Sequence, residues 1–499
     1  MFLGSAATGA GSPSSCHVDA TGASVRPLVF AWTVLAALPA ILDLPREWAA
    51  IGLLALVAAP IITIWISTRR LIISDPVIVI GVAWFFAASL PSLAPGLYVD
   101  PIWLKISDQS LETATLWMYR SWCVCAIVYW GLRAMWRHRL LPVSERDLFV
   151  ADRLRMLIGL AGLLACCMFI WRTGGQSYSH LEGFALTTGF DQVITELRQF
   201  SKIYVFLFFF AGGRRGVSQV ERYLLLGILT AHIAIFAMTG SKAVVVELVA
   251  MWILGRAAGS LRISAIRDIA VGVSVLVLIA FTFAFVGAYR FELAKVADIP
   301  AANIGEALST QVEAADRALN RVMGGQADGY DETRFDIRST FDRLALVASF
   351  ATMLDITGAR SPYENAYQSF LAPAYAVLPR AFFGDKAQFF DSGNFAKLLG
   401  WTFGGFSVSF PGSVFWAWGF EGLLPTMAGL GFLLAWMAHR SEGDGPSNLV
   451  YRVAMVSLIL GLLNVGSAFQ PLIIGLVRTL CFVGLLYVLA GMTQPRTVH

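Results

Sequence analysis

The sequence predicts an all-α polytopic membrane protein of about 12 transmembrane helices, interrupted once by a large helical loop. Three observations carry that expectation. The 499-residue chain is 57% hydrophobic and 14% charged, with a mean hydropathy of +0.67, whereas soluble domains run near 25% charged. Apolar runs of about 18 residues or more, enough to cross ~30 Å of hydrocarbon as helices, recur along most of it. The alternating short-strand pattern of a membrane barrel is missing from the sequence. A span must close its own backbone hydrogen bonds, so a helical bundle is the remaining architecture.

Residues 1–26 are rich in Gly, Ala, Ser and Thr and lack the positive stretch of a signal peptide, so they read as a disordered cytoplasmic tail. Spans follow near 27–44, 49–67, 71–94, 114–132, 156–172, 194–212, 222–239, 243–256 and 269–288. The sixth begins with charged residues and the eighth is short. Residues 289–411 form the large loop, 412–491 hold three further spans (412–438, 453–469 and 471–491), and 492–499 are a second tail. No internal repeat of solenoid or transporter type stands out.

Orientation follows from Lys and Arg in the short connections. One set holds Arg69, Arg70, Arg133, Arg137, Arg139, Arg146, Arg153, Arg155, Arg214, Arg215, Arg222, Arg256, Arg262, Arg267, Arg440 and Arg452. The alternate set holds only Arg46, Lys105, Arg172 and Lys242. Both termini are therefore expected in the cytoplasm and the large loop on the outer side. The net charge of +4, distributed this way, argues membrane topology and no nucleic-acid partner. Of the six cysteines, five fall inside apolar spans without the spacing of a zinc site, so they read as packing residues and no metal is expected.

The loop has its own apolar periodicity. Residues 303–322 place Ile304, Ala307, Leu308, Val312, Ala315 and Leu319 near helical spacing, and 341–356 do the same with Phe341, Leu344, Ala345, Ala348, Phe350 and Met353. Strand alternation is lacking, so the loop is expected to fold onto the bundle.

A charge at mid-membrane costs roughly 2.5–3.5 kcal/mol, which singles out Arg120, Arg198, Lys202, Glu247, Glu421 and Arg478. Arg198 and Lys202 are four apart and share a helix face, where like charges repel unless an anion lies between them. They read either as a phosphate or diphosphate site or as an amphipathic extension in water. Glu196 diverges from that face. Lys242 sits at a short outer turn, as a cation offered to a ligand or as a hairpin corner. Arg120 is placed to snorkel outward and Arg478 to ion-pair inside the bundle. Glu421, after Gly419-Phe420, reads as a general base or an interfacial carboxylate. In the loop, Arg290, Arg343, Arg380 and Lys386 stand beside prolines, glycines and aromatics; a guanidinium grips phosphate through a fixed fork of donors.

These residues occur in a recognisable order: Gly240-Ser241-Lys242 between two spans, Arg290 at the start of the loop, Asp342-Arg343, Tyr367-Gln368-Ser369-Phe370, Leu378-Pro379-Arg380, Asp385-Lys386, Ser409-Phe410-Pro411-Gly412 and Trp418-Gly419-Phe420-Glu421-Gly422. In that order, and in topology, the chain resembles the Wzy-type oligosaccharide repeat-unit polymerases, the O-antigen polymerase-like family. It departs from the pattern in having Lys242 where Arg is frequent, Gly384 where a second proline is frequent, and no proline after Lys386.

The resemblance implies a GT-C-like glycosyltransferase of the inverting, metal-independent type in a bacterial inner membrane, with no cofactor. Its donor would be a glycan on undecaprenyl diphosphate, its acceptor another lipid-linked repeat unit, and its partner a chain-length regulator. Arg343 and Arg380 would grip the diphosphate or glycan, supported by Arg290, Lys242 and Lys386, with Glu421, Asp391 and His180 as the available bases. An O-antigen ligase of the same architecture, differing in acceptor, and a flippase of lipid-linked sugars are the alternatives.

Overall fold

Seven helices of the computed structural model are long and apolar enough to cross a membrane, and no β-strand occurs among the described residues. The chain is an all-α, multi-pass membrane protein. The structure describes residues 19–68, 75–94, 106–136, 144–173, 189–214, 216–239, 242–259, six positions between 281 and 292, 304–324, 346–357, 409–463 and 469–492. Most of the ninth expected span, both expected tails apart from 19–26 and Met492, and the loop motifs from Asp342 to Lys386 other than helix 346–357 lie outside the described residues.

Thirteen helices are described: α1 Asp19–Ala37, α2 Arg46–Thr68, α3 Pro76–Leu93, α4 Asp108–Met135, α5 Glu145–Thr173, α6 Gly189–Arg214, α7 Gln219–Thr239, α8 Lys242–Gly259, α9 Ile304–Gly324, α10 Leu346–Thr357, α11 Phe410–Ser441, α12 Pro446–Leu463 and α13 Phe469–Met492. The seven long apolar ones are α2, α3, α5, α7, α11, α12 and α13. Helices α4, α6 and α8 have 28, 26 and 18 residues and are not among the seven.

Local chemistry sets several ends away from where hydropathy alone places them. Helix α1 starts at Asp19, ahead of residue 27, and stops at Ala37, where Pro39 opens a 3₁₀ turn. Helix α3 starts at Pro76 because Asp75 caps it, its carboxylate accepting from Val77 N at 3.1 Å. Helix α11 starts at Phe410 because Ser409 Oγ accepts from Gly412 N at 3.2 Å, with Pro411 in the first turn. The Ser-Phe-Pro-Gly run is thus a helix start, tied to α13 by Phe469 N donating to Ser413 Oγ at 2.8 Å.

Glycines bring α6 against its neighbours. On α8, a Cβ at Gly255 would lie 2.4 Å from Phe206 O, and one at Gly259 2.5 Å from Phe210 O. On α5, a Cβ at Gly162 would lie 2.3 Å from Ser201 N. Small residues matter in a membrane because lipid tails give no hydrophobic drive between helices, and contact must come from close approach. Helix α4 packs along α11, α1, α2 and α10.

Two helices from the expected loop are described, and both fold back onto the bundle. Helix α10 buries Val347, Phe350, Ala351 and Met353 and packs against α4 and α11. Asp355 accepts from Ser107 N at 2.9 Å, Ser107 Oγ at 2.7 Å and Ser110 Oγ at 2.5 Å, fastening α10 to the first turn of α4. Helix α9 rests Ala314 and Ala318 on Tyr289.

Candidate functional site

Charged side chains gather at the two ends of the bundle. At the arginine-rich end, cations meet acids. Arg26 and Arg133 both bind Glu442, joining α1 and α4 to the end of α11. Arg155 Nε donates to Glu221 Oε1 at 2.6 Å, and Ser218 N donates to the other carboxylate oxygen at 2.8 Å. Arg452 donates to the Ser441 and Gly443 carbonyls, at 2.7 Å each. A cavity of about 30 Å³ lies among Asp152, Arg155, Asp444 and Arg452, room for one water.

The opposite end holds the second group, centred on the first half of α6. Lys202 is buried and ion-pairs with the half-buried Glu247 of α8. Arg478 of α13 binds Glu196 at 2.8 Å. Glu196 therefore serves another helix, as its divergence from the Arg198 face requires, and Arg478 has the intrabundle partner expected for it. Arg198 is half-buried, with its guanidinium over the Phe169 ring of α5 at 4.3 Å. No acid lies within ion-pairing distance of Arg198 among the described residues. Among the described residues this group holds three cations, Arg198, Lys202 and Arg478, and two carboxylates, Glu196 and Glu247.

This arrangement revises one of the sequence expectations. Lys202 and Arg198 share a face, but no external anion is needed to relieve Lys202, because Glu247 arrives from the neighbouring helix. On this part of α6, Ile194, Phe200, Ser201 and Ile203 are buried.

Beneath the cations lies a buried polar chain that the sequence reading passed over. Ser201 Oγ lies 2.7 Å from His232 Nε2, donates to Arg198 O at 2.6 Å and lies 3.6 Å from Cys166 Sγ. His232 Nδ1 is buried with no partner among the described residues. The available signal was a histidine inside the apolar run of α7, since an ionisable group at membrane depth is a functional candidate by default.

The remaining expected residues fall as follows. Lys242 is the first residue of α8. Glu421 is exposed, on α11 just past a break at Gly419, whose φ of 67° and ψ of −167° suit only glycine. The break turns Phe420 onto Trp117, with ring centres 4.5 Å apart. Arg120 reaches outward, donating to Ala40 O at 2.9 Å and Asp43 at 2.8 Å. Arg290, Arg343, Arg380, Lys386, His180 and Asp391 lie outside the described residues. The described part of the site is thus Arg198, Lys202, Glu247, Ser201 and His232, which can hold an anion at Arg198 or relay a proton through the buried chain. No family model matches the chain, and no curated protein or solved structure matches it.

Proposed function

We propose that the chain polymerises glycan repeat units carried on a lipid diphosphate, transferring the growing glycan at the outer leaflet of a bacterial inner membrane. The observation that carries this reading is Arg198: a half-buried cation without an acid partner among the described residues, at the arginine-poor end of the bundle. The motif order from Lys242 to Glu421 adds the resemblance described above. About twelve spans, both termini cytoplasmic and residues 289–411 on the outer side are the topology that the reading requires.

The reaction is a displacement. An acceptor hydroxyl attacks the anomeric carbon of the donor, the bond from that carbon to the diphosphate oxygen breaks, and the diphosphate leaves with the electron pair. Charge grows on the leaving group, and fixed cations stabilise it. Arg343 and Arg380 are assigned that grip, with Arg290, Lys242, Lys386 and Arg198 around them. Lys202 contributes field rather than contact while Glu247 holds it. The hydroxyl proton goes to a base within hydrogen-bond reach, and Glu421 is the exposed carboxylate assigned to that role.

In a strain whose surface polymer depends on this chain, Arg380→Ala should leave single repeat units at the surface and no polymer. Normal chain length with a well-expressed variant would overturn the assignment. The buried His232–Ser201 pair favours one second reading, a proton-coupled transporter of lipid-linked sugars. Loss of all surface glycan on deletion, rather than its reduction to single units, would select that reading. Free polymer on the carrier lipid would select a ligase.

A further inference from the structure

Helix α9 divides lengthwise into two chemistries. Glu313, Asp316, Arg317 and Asn320 are exposed on one half, where Arg317 pairs with Glu313 and Asn320 donates to Asp316 at 3.3 Å. The other half is apolar apart from the half-buried Gln311, and only part of it is covered. Its inner edge, Ala314 and Ala318, is buried against Tyr289. Its outer edge is Val312, Leu319 and Met323, exposed at 63%, 41% and 75%. At 100° per residue these three fall within one narrow arc, adjoining the buried alanines through the half-buried Ala315 and Val322.

The place of attachment matters as much as the pattern. Tyr289 Oη donates to the carbonyl of Ala237, in the last turn of α7. Phe285 stacks on Tyr289 at 5.7 Å and on Phe236 at 6.4 Å. Arg321 binds Glu292 at 3.2 Å, one turn beyond Tyr289. Helix α9 is therefore held where a transmembrane helix ends, at the boundary between hydrocarbon and water. A polar half and an apolar half running the same length can both be satisfied there in one pose, with the axis along the boundary.

We infer that α9 is an interfacial helix, seated in the leaflet at the arginine-poor end, with Val312, Leu319 and Met323 inserted among acyl chains. Its polar half carries no excess of cations, so the seat is apolar and does not require anionic lipid. The helix would form a lipid-covered shoulder beside α7, whatever reaction the bundle performs.

Nitroxide labels on the full chain in phosphatidylethanolamine–phosphatidylglycerol proteoliposomes test this. Val312→Cys, Leu319→Cys and Met323→Cys should each be relaxed by oxygen at least threefold more than by a water-soluble nickel chelate. Glu313→Cys, Asp316→Cys and Asn320→Cys should show the reverse. Labels at 319 and 323 that favour nickel, or that are immobile and closed to both reagents as in a protein contact, overturn the inference. Diazirine-bearing acyl chains read out the unmodified protein: adducts on Val312, Leu319 or Met323 support the seat, and their absence while α2 and α7 are labelled overturns it.

Discussion

The two ends of the bundle use buried charge differently. At the arginine-rich end, Arg26, Arg133 and Arg155 each meet a carboxylate, and the pairs tie together helices that are distant in sequence. At the opposite end, Lys202 and Arg478 are neutralised in the same way, but among the described residues Arg198 has an aromatic ring in place of an acid. A cation–π contact holds a guanidinium with about 0.5–2 kcal/mol and leaves its outward donors free. A charge satisfied by a carboxylate serves the fold, whereas one satisfied by a ring can still accept a ligand.

The sharpest test of that contrast is Arg155→Met. It leaves Glu221, buried at 3% exposure, without its cation, and breaking a buried pair costs about 3–5 kcal/mol. Thermal unfolding in detergent should fall by several degrees, and unchanged stability would refute a structural role for that end. Next is Gly419→Ala. A side chain in that backbone region costs about 1–3 kcal/mol, and the variant should lose the Phe420–Trp117 stack, read as increased hydrogen exchange over 417–423.

Arg198→Met should cost no more than the cation–π contact, about 0.5–2 kcal/mol, because no buried acid is orphaned, yet weaken inorganic pyrophosphate binding about tenfold, the loss of one charge-assisted contact of ~1.4 kcal/mol. Isothermal titration beside a melting curve separates the two effects. A variant that unfolds like Arg155→Met while binding pyrophosphate normally would erase the distinction between the ends.

The smallest effect is that of pH on α10. Burial raises the Asp355 carboxyl, but the bonds from Ser110 Oγ, Ser107 N and Ser107 Oγ outweigh it and hold the group below the usual carboxylate range. A carboxyl lowered on folding contributes stability above its unfolded value, near ~3.9, and that stability is lost as pH falls through the folded value. Hydrogen exchange of 346–357 should therefore rise at the acid extreme only, and Asp355→Asn should abolish the dependence.

Much of this was legible beforehand where the physics is local. Apolar runs gave the helices at α2, α5, α7 and α13, and amphipathic spacing gave α9 and α10. Capping by Asp75 and Ser409 shifted boundaries by a few residues, because side-chain hydrogen bonds act below the resolution of hydropathy. The Arg198/Lys202 pair was visible as a charge anomaly, but Glu247 could not be assigned to Lys202 from spacing, since it stands on another helix. The Cys166–Ser201–His232 chain was missed for the same reason.

Sequence alone determined that this chain is a helical membrane protein, that one end of its bundle is rich in arginine, and that a few charges lie where charge is expensive. Those properties are sums over neighbouring residues, and bilayer thickness and helical period convert them directly into structure. Tertiary structure decided which charges are neutralised. Ion pairing depends on helices meeting at particular heights, and glycines at 162, 255 and 259 set how closely α6 meets its neighbours. Only in that packing does Lys202 find Glu247 while Arg198 finds a ring.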